Sequence, residues 1–368
     1  MRSSQQPSPL SVRKIAVLRA NGIGDYVFAL PALEALRARF PHAEIVQLGK
    51  PWHKEFLTGR PGPVDRVVII PRCAGVGEPE DFVNDDALLD RFFHSMAEER
   101  FDLAVQLHGG GRYSNPFVSR LGATLTVGLR AAEAAPLHRW LRYVYFQPES
   151  LRYLETVALV GASPVALEPR LAAREADVEE AFRAVPEDGR PTVVLHPGAT
   201  AMRRRWPPEL FAQVGEQLAR VGYRILITGD QSEAALAQSV CREMGQTAEV
   251  VCHLSLGGVL ELLRRAALVI SNDSGPLHLA AAAGTRTVGI YWCGNMITAG
   301  IVWRTRHRPV LSWRLDCPVC GRNTIQDNCS HQASFVEDVQ VEDVMREARD
   351  LLQDLRDECR PDHDPHSP

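Results

Sequence analysis

Short apolar runs alternate along the chain with longer stretches whose apolar residues recur at helical spacing, and the series occurs twice. In the first half, Lys14–Ala20 (KIAVLRA), Glu44–Leu48, Arg66–Ile70, Leu103–Leu107 and Leu125–Leu129 read as buried strands. Val27–Phe40 reads as a helix with Leu30, Leu33, Leu36 and Phe40 on one side, and Pro31 kinks it or marks its start. Ala87–Glu99 reads as another helix. In the second half, Thr192–Leu195, Arg224–Thr228, Glu249–Cys252, Ala267–Ile270 and Thr287–Trp292 read as strands. Between them, Glu209–Val221, a stretch from near Ser232, Leu256–Ala266 and Leu279–Ala283 read as helices, and Val339–Leu355 as a last amphipathic one. Such alternation predicts an α/β protein with two doubly wound parallel sheets.

The charged stretch Glu168–Arg190, punctuated by Pro169, Pro186 and Gly189, separates the halves. The expected organisation is a first domain over 13–170, a linker over 171–190, a second domain over 191–338 and a C-terminal helix over 339–358. The polar ends 1–12 and 359–368 are expected to be disordered, with His363 and His366 as solvated residues.

The chain has 368 residues, 45 % hydrophobic and 23 % charged, enough for about two globular domains. A formal net charge of −4 provides no basic field for nucleic acid. No apolar run is long enough to span a bilayer, and the N-terminus lacks a signal-peptide core, so a cytoplasmic protein is expected. Eight cysteines in a chain of this length do not make a disulfide scaffold. Residues 131–146 interleave His138, Arg139, Trp140, Arg142, Tyr143, Tyr145 and Phe146. That pattern fits either a surface for an anionic or lipid-linked partner, including peripheral contact with a membrane, or a helix whose aromatics face the core.

The strand ends carry the chemistry. Asp273-Ser274-Gly275-Pro276-Leu277-His278 follows a strand and opens a helix, where free N–H groups and the helix dipole attract an anion. Ordinary N-capping by Asp273 or Ser274 would explain one polar residue of that run, but not His278 one turn later. His196-Pro197-Gly198-Ala199 ends another strand of the same domain, ahead of Arg203, Arg204 and Arg205. Strand ends of one sheet converge on one crevice, and arginine there suits a pyrophosphate. Gly229, Asp230 and Glu233 would reach the same crevice, with a carboxylate for ribose hydroxyls. In the first domain Gly22 and Gly24 give G-x-G, but Val27 stands at the third glycine position and no acidic residue ends the second strand, which argues against a dinucleotide. The loop offers Asp25 instead, either as a helix cap or as a functional carboxylate. Cys317, Cys320, Cys329 and His331 make a candidate structural zinc site, with reduced or buried thiols as the alternative.

Taken together these residues resemble glycosyltransferase family 9, the heptosyltransferase family, over nearly all of 13–355. Asn21–Asp25 with Ala29-Leu30-Pro31-Ala32-Leu33 is similar to its amino-terminal signature. His196–Ala199 with Arg204-Arg205-Trp206-Pro207 is similar to its K-x-W-P loop, and Asp273–His278 to its D-[ST]-G-x-x-H signature. The resemblance implies a GT-B fold, two Rossmann-like domains facing across a cleft. It implies inverting, metal-independent transfer from a nucleoside-diphosphate sugar, often ADP-heptose, to a saccharide or lipid-linked hydroxyl, and a protein peripheral at the inner membrane face. Asp25 would be the catalytic base. Donor contacts would come from Gly22, Gly24, His196, Gly198, Arg204, Arg205, Gly229, Asp230, Glu233, Asp273, Ser274, Gly275 and His278. Arg204 stands where the family commonly has lysine, and Ser334 where some members have a further cysteine. A nucleotide-sugar epimerase or hydrolase, and a non-catalytic sugar-nucleotide binder, are the rival classes. Retention of Asp25 favours a transferase over the binder.

Overall fold

The computed structural model describes residues 12–325 and 329–358. The terminal segments expected to be disordered, with His363 and His366, fall outside the described residues, apart from Val12. The chain divides into two compact units. One runs to Leu167 apart from Phe146–Pro148, and the other takes those three residues and everything from Glu168.

The first unit holds a six-stranded parallel sheet of β1 (Lys14–Leu18), β2 (Glu44–Gly49), β3 (Arg66–Ile69), β4 (Leu103–Gln106), β5 (Leu125–Arg130) and β6 (Arg139–Arg142). Their order is β3-β2-β1-β4-β5-β6. The central strands are continuous apolar runs because helices cover both faces; Ile15, Ala16, Val17 and Leu18 are fully buried. Helix α1 (Ile23–Arg39) starts four residues earlier than its apolar spacing suggests, and Pro31 lies inside it. The proline removes only the bond to the Val27 carbonyl, and burial of Val27 through Leu33 holds the helix together. Helices α2 (Pro51–Leu57), α3 (Asp86–Glu98), α4 (Ser114–Ser119) and α5 (Glu149–Ala158) complete the unit.

The aromatic and basic segment is not a helix. Arg139–Arg142 is the edge strand β6, paired with β5 through Val127↔Arg139 and Gly128↔Trp140. Its side chains alternate between half-buried and exposed, the period of a strand and not of a helix. Trp140, Tyr145 and Phe146 are exposed, with the Arg130 guanidinium 4.7 Å from the centre of the Trp140 indole. The expectation that these aromatics pack into a core is therefore corrected.

The second unit repeats the design. Strands β7 (Thr192–His196), β8 (Arg224–Thr228), β9 (Glu249–Val251), β10 (Leu268–Asn272), β11 (Thr287–Trp292) and β12 (His307–Ser312) lie in the order β9-β8-β7-β10-β11-β12. Residues 171–190, expected as a linker, contain helix α6 (Glu175–Ala184), which packs on α9 (Leu256–Arg265). The contact is close: a Cβ on Gly257 would lie 2.0 Å from Asp177 Oδ1. The remaining helices are α7 (Pro208–Arg220), α8 (Ala234–Glu243), α10 (Gly275–Ala282), α11 (Cys293–Ala299) and α12 (Val341–Glu358). Trp206, 1 % exposed, donates its indole N–H to Val339 O at 2.9 Å and so ties the loop after β7 to the start of α12. No helix among the described residues is long and apolar enough to cross a membrane.

Candidate active site

In both units the strand order reverses beside the first strand, between β1 and β4 and between β7 and β10. Ligands of open α/β sheets bind at the carboxyl ends of strands at such a point.

In the second unit that point is closed by polar bonds between its loops. Asn272, fully buried at the end of β10, donates to Pro197 O at 2.8 Å and accepts the Trp206 N–H at 3.0 Å. The three arginines are not a solvated loop. Met202–Arg204 is a 3-10 turn, and Arg205 Nε donates to Ala199 O at 2.8 Å. Arg204 Nη1 donates to Asp273 O at 3.0 Å and lies 3.4 Å from Asp273 Oδ2. Asp273 is 1 % exposed, and it also meets His278 Nε2 at 3.2 Å and Asn295 Nδ2 at 2.7 Å. Burial pushes this carboxyl up, but His278, Arg204 and Asn295 together hold it below the usual range. The Asp273 carboxylate is therefore engaged with protein donors, and it orients Arg204 at the amino end of α10. Ser274 is the N-cap of that helix without a side-chain capping bond, and Gly275 is its first residue.

Across the sheet, His196 Nδ1 donates to Thr228 O at 3.0 Å, and its Nε2 is 4.0 Å from Glu233 Oε2. Burial holds this imidazole below its ordinary value despite Glu233 beside it. Glu233 forms a capping box with Asp230 at the start of a 3-10 turn before α8. A Cβ on Gly198 would sit 2.1 Å from Glu233 Oε1, and one on Gly229 would sit 2.9 Å from Glu233 Cβ. Those glycines make room for Glu233 to lie over both strand ends.

In the first unit the switch point is a pocket of about 620 Å³ lined by Ala20, Asn21, Gly22, Asp25, Lys50, Trp52, Gly75, Gly77, Glu78, Pro79, Glu80, His108 and Tyr113. Asp25 is the third residue of α1, and its Oδ2 accepts the Gly22 N–H at 2.9 Å, so it does cap the helix. Its Oδ1 takes Arg19 Nη2 at 2.6 Å. Arg19 is 2 % exposed; the same Nη2 reaches Glu149 Oε2 at 2.6 Å, and its Nη1 reaches Leu107 O at 3.0 Å. The Tyr153 hydroxyl donates to that Glu149 oxygen at 2.7 Å. One buried guanidinium thus fixes two carboxylates. Gly75 and Gly77 have φ of +67° and +87°, and a Cβ on Gly75 would strike the Tyr113 ring at 2.2 Å.

The thiols and imidazole of Cys317, Cys320, Cys329 and His331 offer ligand atoms all within 4.8 Å of one another. Burial raises Cys317, but the Cys320 and Val319 backbone N–H groups and the neighbouring thiols outweigh it and bring Cys317 down to about 6. Ser334 is engaged elsewhere, donating to Arg205 O at 2.7 Å.

The sequence model described as glycosyltransferase family 9 (heptosyltransferase) matches residues 89–322. The chain belongs to glycosyltransferase family 9. Lipopolysaccharide heptosyltransferase 2 of Escherichia coli is 24 % identical over 304 residues, 76 % of this chain and 82 % of the relative. The crystal structure of a family 9 glycosyl transferase from Veillonella parvula superposes with a TM-score of 0.77 at 19 % identity, covering 94 % of this chain and 99 % of that one. That of E. coli ADP-heptose lps heptosyltransferase II gives 0.72 at 17 % identity, covering 94 % and 100 %. The family 9 chain is a glycosyltransferase with a GT-B fold. The strand-end cluster of each unit also contains residues to which the sequence alone assigns no role. Arg19 and Glu149 orient Asp25, Asn272 and Asn295 lock the second unit's loops, and Lys50, Trp52, Glu78 and Glu80 line the first unit's pocket. Only Trp52 and Lys50 carry a local signal, since they directly follow the end of β2 at Gly49.

Proposed function

We propose that this protein transfers a heptose-like sugar from a nucleoside-diphosphate donor to a saccharide or glycolipid hydroxyl, inverting the anomeric centre and using no metal in the chemistry. The observation that carries the reading is Arg204 held by Asp273 against the first turn of α10, since a departing diphosphate needs fixed positive charge and N–H donors. In this reading Arg204, Arg205 and the Ser274 and Gly275 N–H groups take the diphosphate, while Asp230 and Glu233 take ribose hydroxyls. His278 acts by holding Asp273. A donor of the ADP-heptose type fits the relatives: one neighbouring structure is named as an E. coli heptosyltransferase with ADP. Asp25 accepts the proton of the acceptor hydroxyl, with Gly22 and Gly24 leaving space beside it. Work on a lipid-linked acceptor would bring the protein to the inner face of a membrane, where the first unit's exposed Trp140 and Tyr145 offer an aromatic edge. Incubation with a panel of nucleoside-diphosphate sugars, with and without acceptor, tests the function. Transfer product of inverted configuration in the presence of a chelator is expected; free sugar released equally fast without acceptor would favour a hydrolase.

We further propose that Cys317, Cys320, Cys329 and His331 hold one structural metal. The donor set of thiols and imidazole suits zinc, and a more distant neighbour at TM-score 0.50 is described as iron-containing. Ligand atoms already within 4.8 Å need little movement to reach the roughly 3.8 Å separation that tetrahedral Zn–S distances set. Elemental analysis should give about one zinc or iron per chain, and stripping it should loosen residues 315–325 and 329–331. Protein with no stoichiometric metal would return the cysteines to free thiols.

A further inference from the structure

Asp25 does not hold Arg19 alone. Nη2 of that guanidinium has one hydrogen for Asp25 Oδ1 and one for Glu149 Oε2, each acceptor at 2.6 Å. The two carboxylate oxygens are therefore no more than twice that distance apart. Glu149 is the first residue of α5, and it is itself fixed. Its Oε2 accepts the Tyr153 hydroxyl at 2.7 Å, and its Oε1 lies 3.6 Å from the buried Arg152. Burial pushes Arg19 down, but the carboxylates hold its guanidinium above the ordinary value, Glu149 by more than Asp25.

A guanidinium at 2.6 Å favours the charged form of a carboxylate, and so makes it a poorer acceptor of protons. The place of Asp25 in the first turn of α1 acts in the same direction. A second carboxylate on the same nitrogen acts the other way, because taking up a proton relieves the repulsion between the two anions. The other groups facing Asp25 do not supply this. Burial holds His53 and His108 down to about 3, so both stay neutral at pH 7. Burial also raises Tyr153 and Tyr143, which stay protonated. Lys50 and Arg152 are cations, and Glu78 and Glu80 are paired with Arg72 and Arg112. We infer that Glu149 is a positioning residue for the transfer reaction, sharing Arg19 so that Asp25 is held in place and still accepts the proton of the acceptor hydroxyl. The inference rests on reading Asp25 as the base.

The test is a carboxyl-carbon NMR titration of the full chain, with the Asp25 resonance identified by its loss in Asp25→Asn. Glu149→Gln keeps the shape and an oxygen for Arg19 but carries no charge. The Asp25 titration midpoint should then fall by about one pH unit or more. Transfer from ADP-heptose should slow by about tenfold or more, while calorimetric affinity for ADP stays within about twofold. Glu149→Asp restores the charge and should return the midpoint to within about 0.5 pH units of the wild type, even where turnover recovers only in part. Should Glu149→Gln fail to fold, Arg19→Gln combined with Glu149→Gln removes a whole ion pair instead of one partner of it. In that double variant the midpoint should lie at or above the wild-type value, because the nearer of the two lost charges is the positive one. A midpoint that stays in place or rises in Glu149→Gln overturns the inference. So does a double variant that titrates below the wild type, or a shifted midpoint with unchanged transfer. Each of those results leaves Asp25 as the base, whereas near-normal transfer by folded Asp25→Asn would remove the base and this role of Glu149 together.

Discussion

The two units share one scaffold and differ in the charge placed at its strand ends. Each sheet has its first strand third from one edge, and each gathers its polar residues where the order reverses. In the first unit Asp25, Glu78 and Glu80 line that point together with Lys50, and the arginine that fixes Asp25 is buried beneath. In the second the polarity is inverted: the carboxylate Asp273 is buried, and it presents the half-buried Arg204 beside a helix amino end. A buried ion pair can thus expose either of its signs, and the choice decides whether a site suits a proton to be removed or an anion to be released. The same fold supports both because its loops, and not its strands, carry the chemistry.

The most severe way to break this comparison is to remove the Asp25 carboxylate, the group proposed above to take the acceptor's proton. Asp25→Asn should lower turnover by roughly 10²–10⁴-fold while donor affinity stays within twofold, since the amide cannot accept a proton. Asparagine can still cap Gly22, but the buried Arg19 would lose one of its two carboxylate partners, so stability should fall by about 1–2 kcal/mol. Near-normal turnover in a folded variant would mean that another group takes the proton.

A smaller effect is expected from the second unit's exposed cation. Arg204→Ala should weaken nucleoside-diphosphate binding by about 1.5–3 kcal/mol in calorimetry and leave nucleoside binding nearly unchanged. Arg204→Lys should recover much of the loss, because charge matters more here than a bidentate fork whose Nη1 is already directed at Asp273. Equal losses for nucleoside and diphosphate would remove the phosphate role and, with it, the charge inversion between the units.

Much of this was legible in the chain, and the gaps have physical causes. Strands such as Arg224–Thr228 and Thr287–Trp292 are readable to the residue because buried parallel strands are continuous apolar runs. Apolar spacing starts helix α1 late because the glycines and Asp25 of its first turn look like a loop, while its capping bonds are visible only in three dimensions. Residues 139–142 were ambiguous because four residues cannot separate a period of 2 from one of 3.6. Asp273 and Arg204 could be placed on one crevice from strand ends alone. That Asp273 would be spent on Arg204, His278 and Asn295 could not, since those partners lie 69, 5 and 22 residues away in the chain. For the same reason Arg19 reads as one residue of an apolar run, although it organises the first unit's site.

The gentlest probe sharpens the comparison without touching either site's charge. His53 in the first unit and His307 in the second are each at most 1 % exposed, and burial holds each down to about 3. An unfolded histidine takes up its proton near 6.5. Between those values the unfolded chain binds protons that the folded chain does not. Stability must therefore fall as pH drops from about 6.5 towards 3, by up to about 1.4 kcal/mol per pH unit for each histidine, and should be flat in these groups above about 7. Urea unfolding at pH 7.0, 5.5 and 4.5 would measure the slope, with Trp52 fluorescence reporting the first unit because its indole stacks on His53. His53→Gln should flatten the first unit's slope by about that one-histidine amount and leave the second unit's slope alone, while His307→Gln should do the reverse. If either substitution changed both slopes equally, the units would be unfolding as one cooperative block, and their stabilities could not be compared separately.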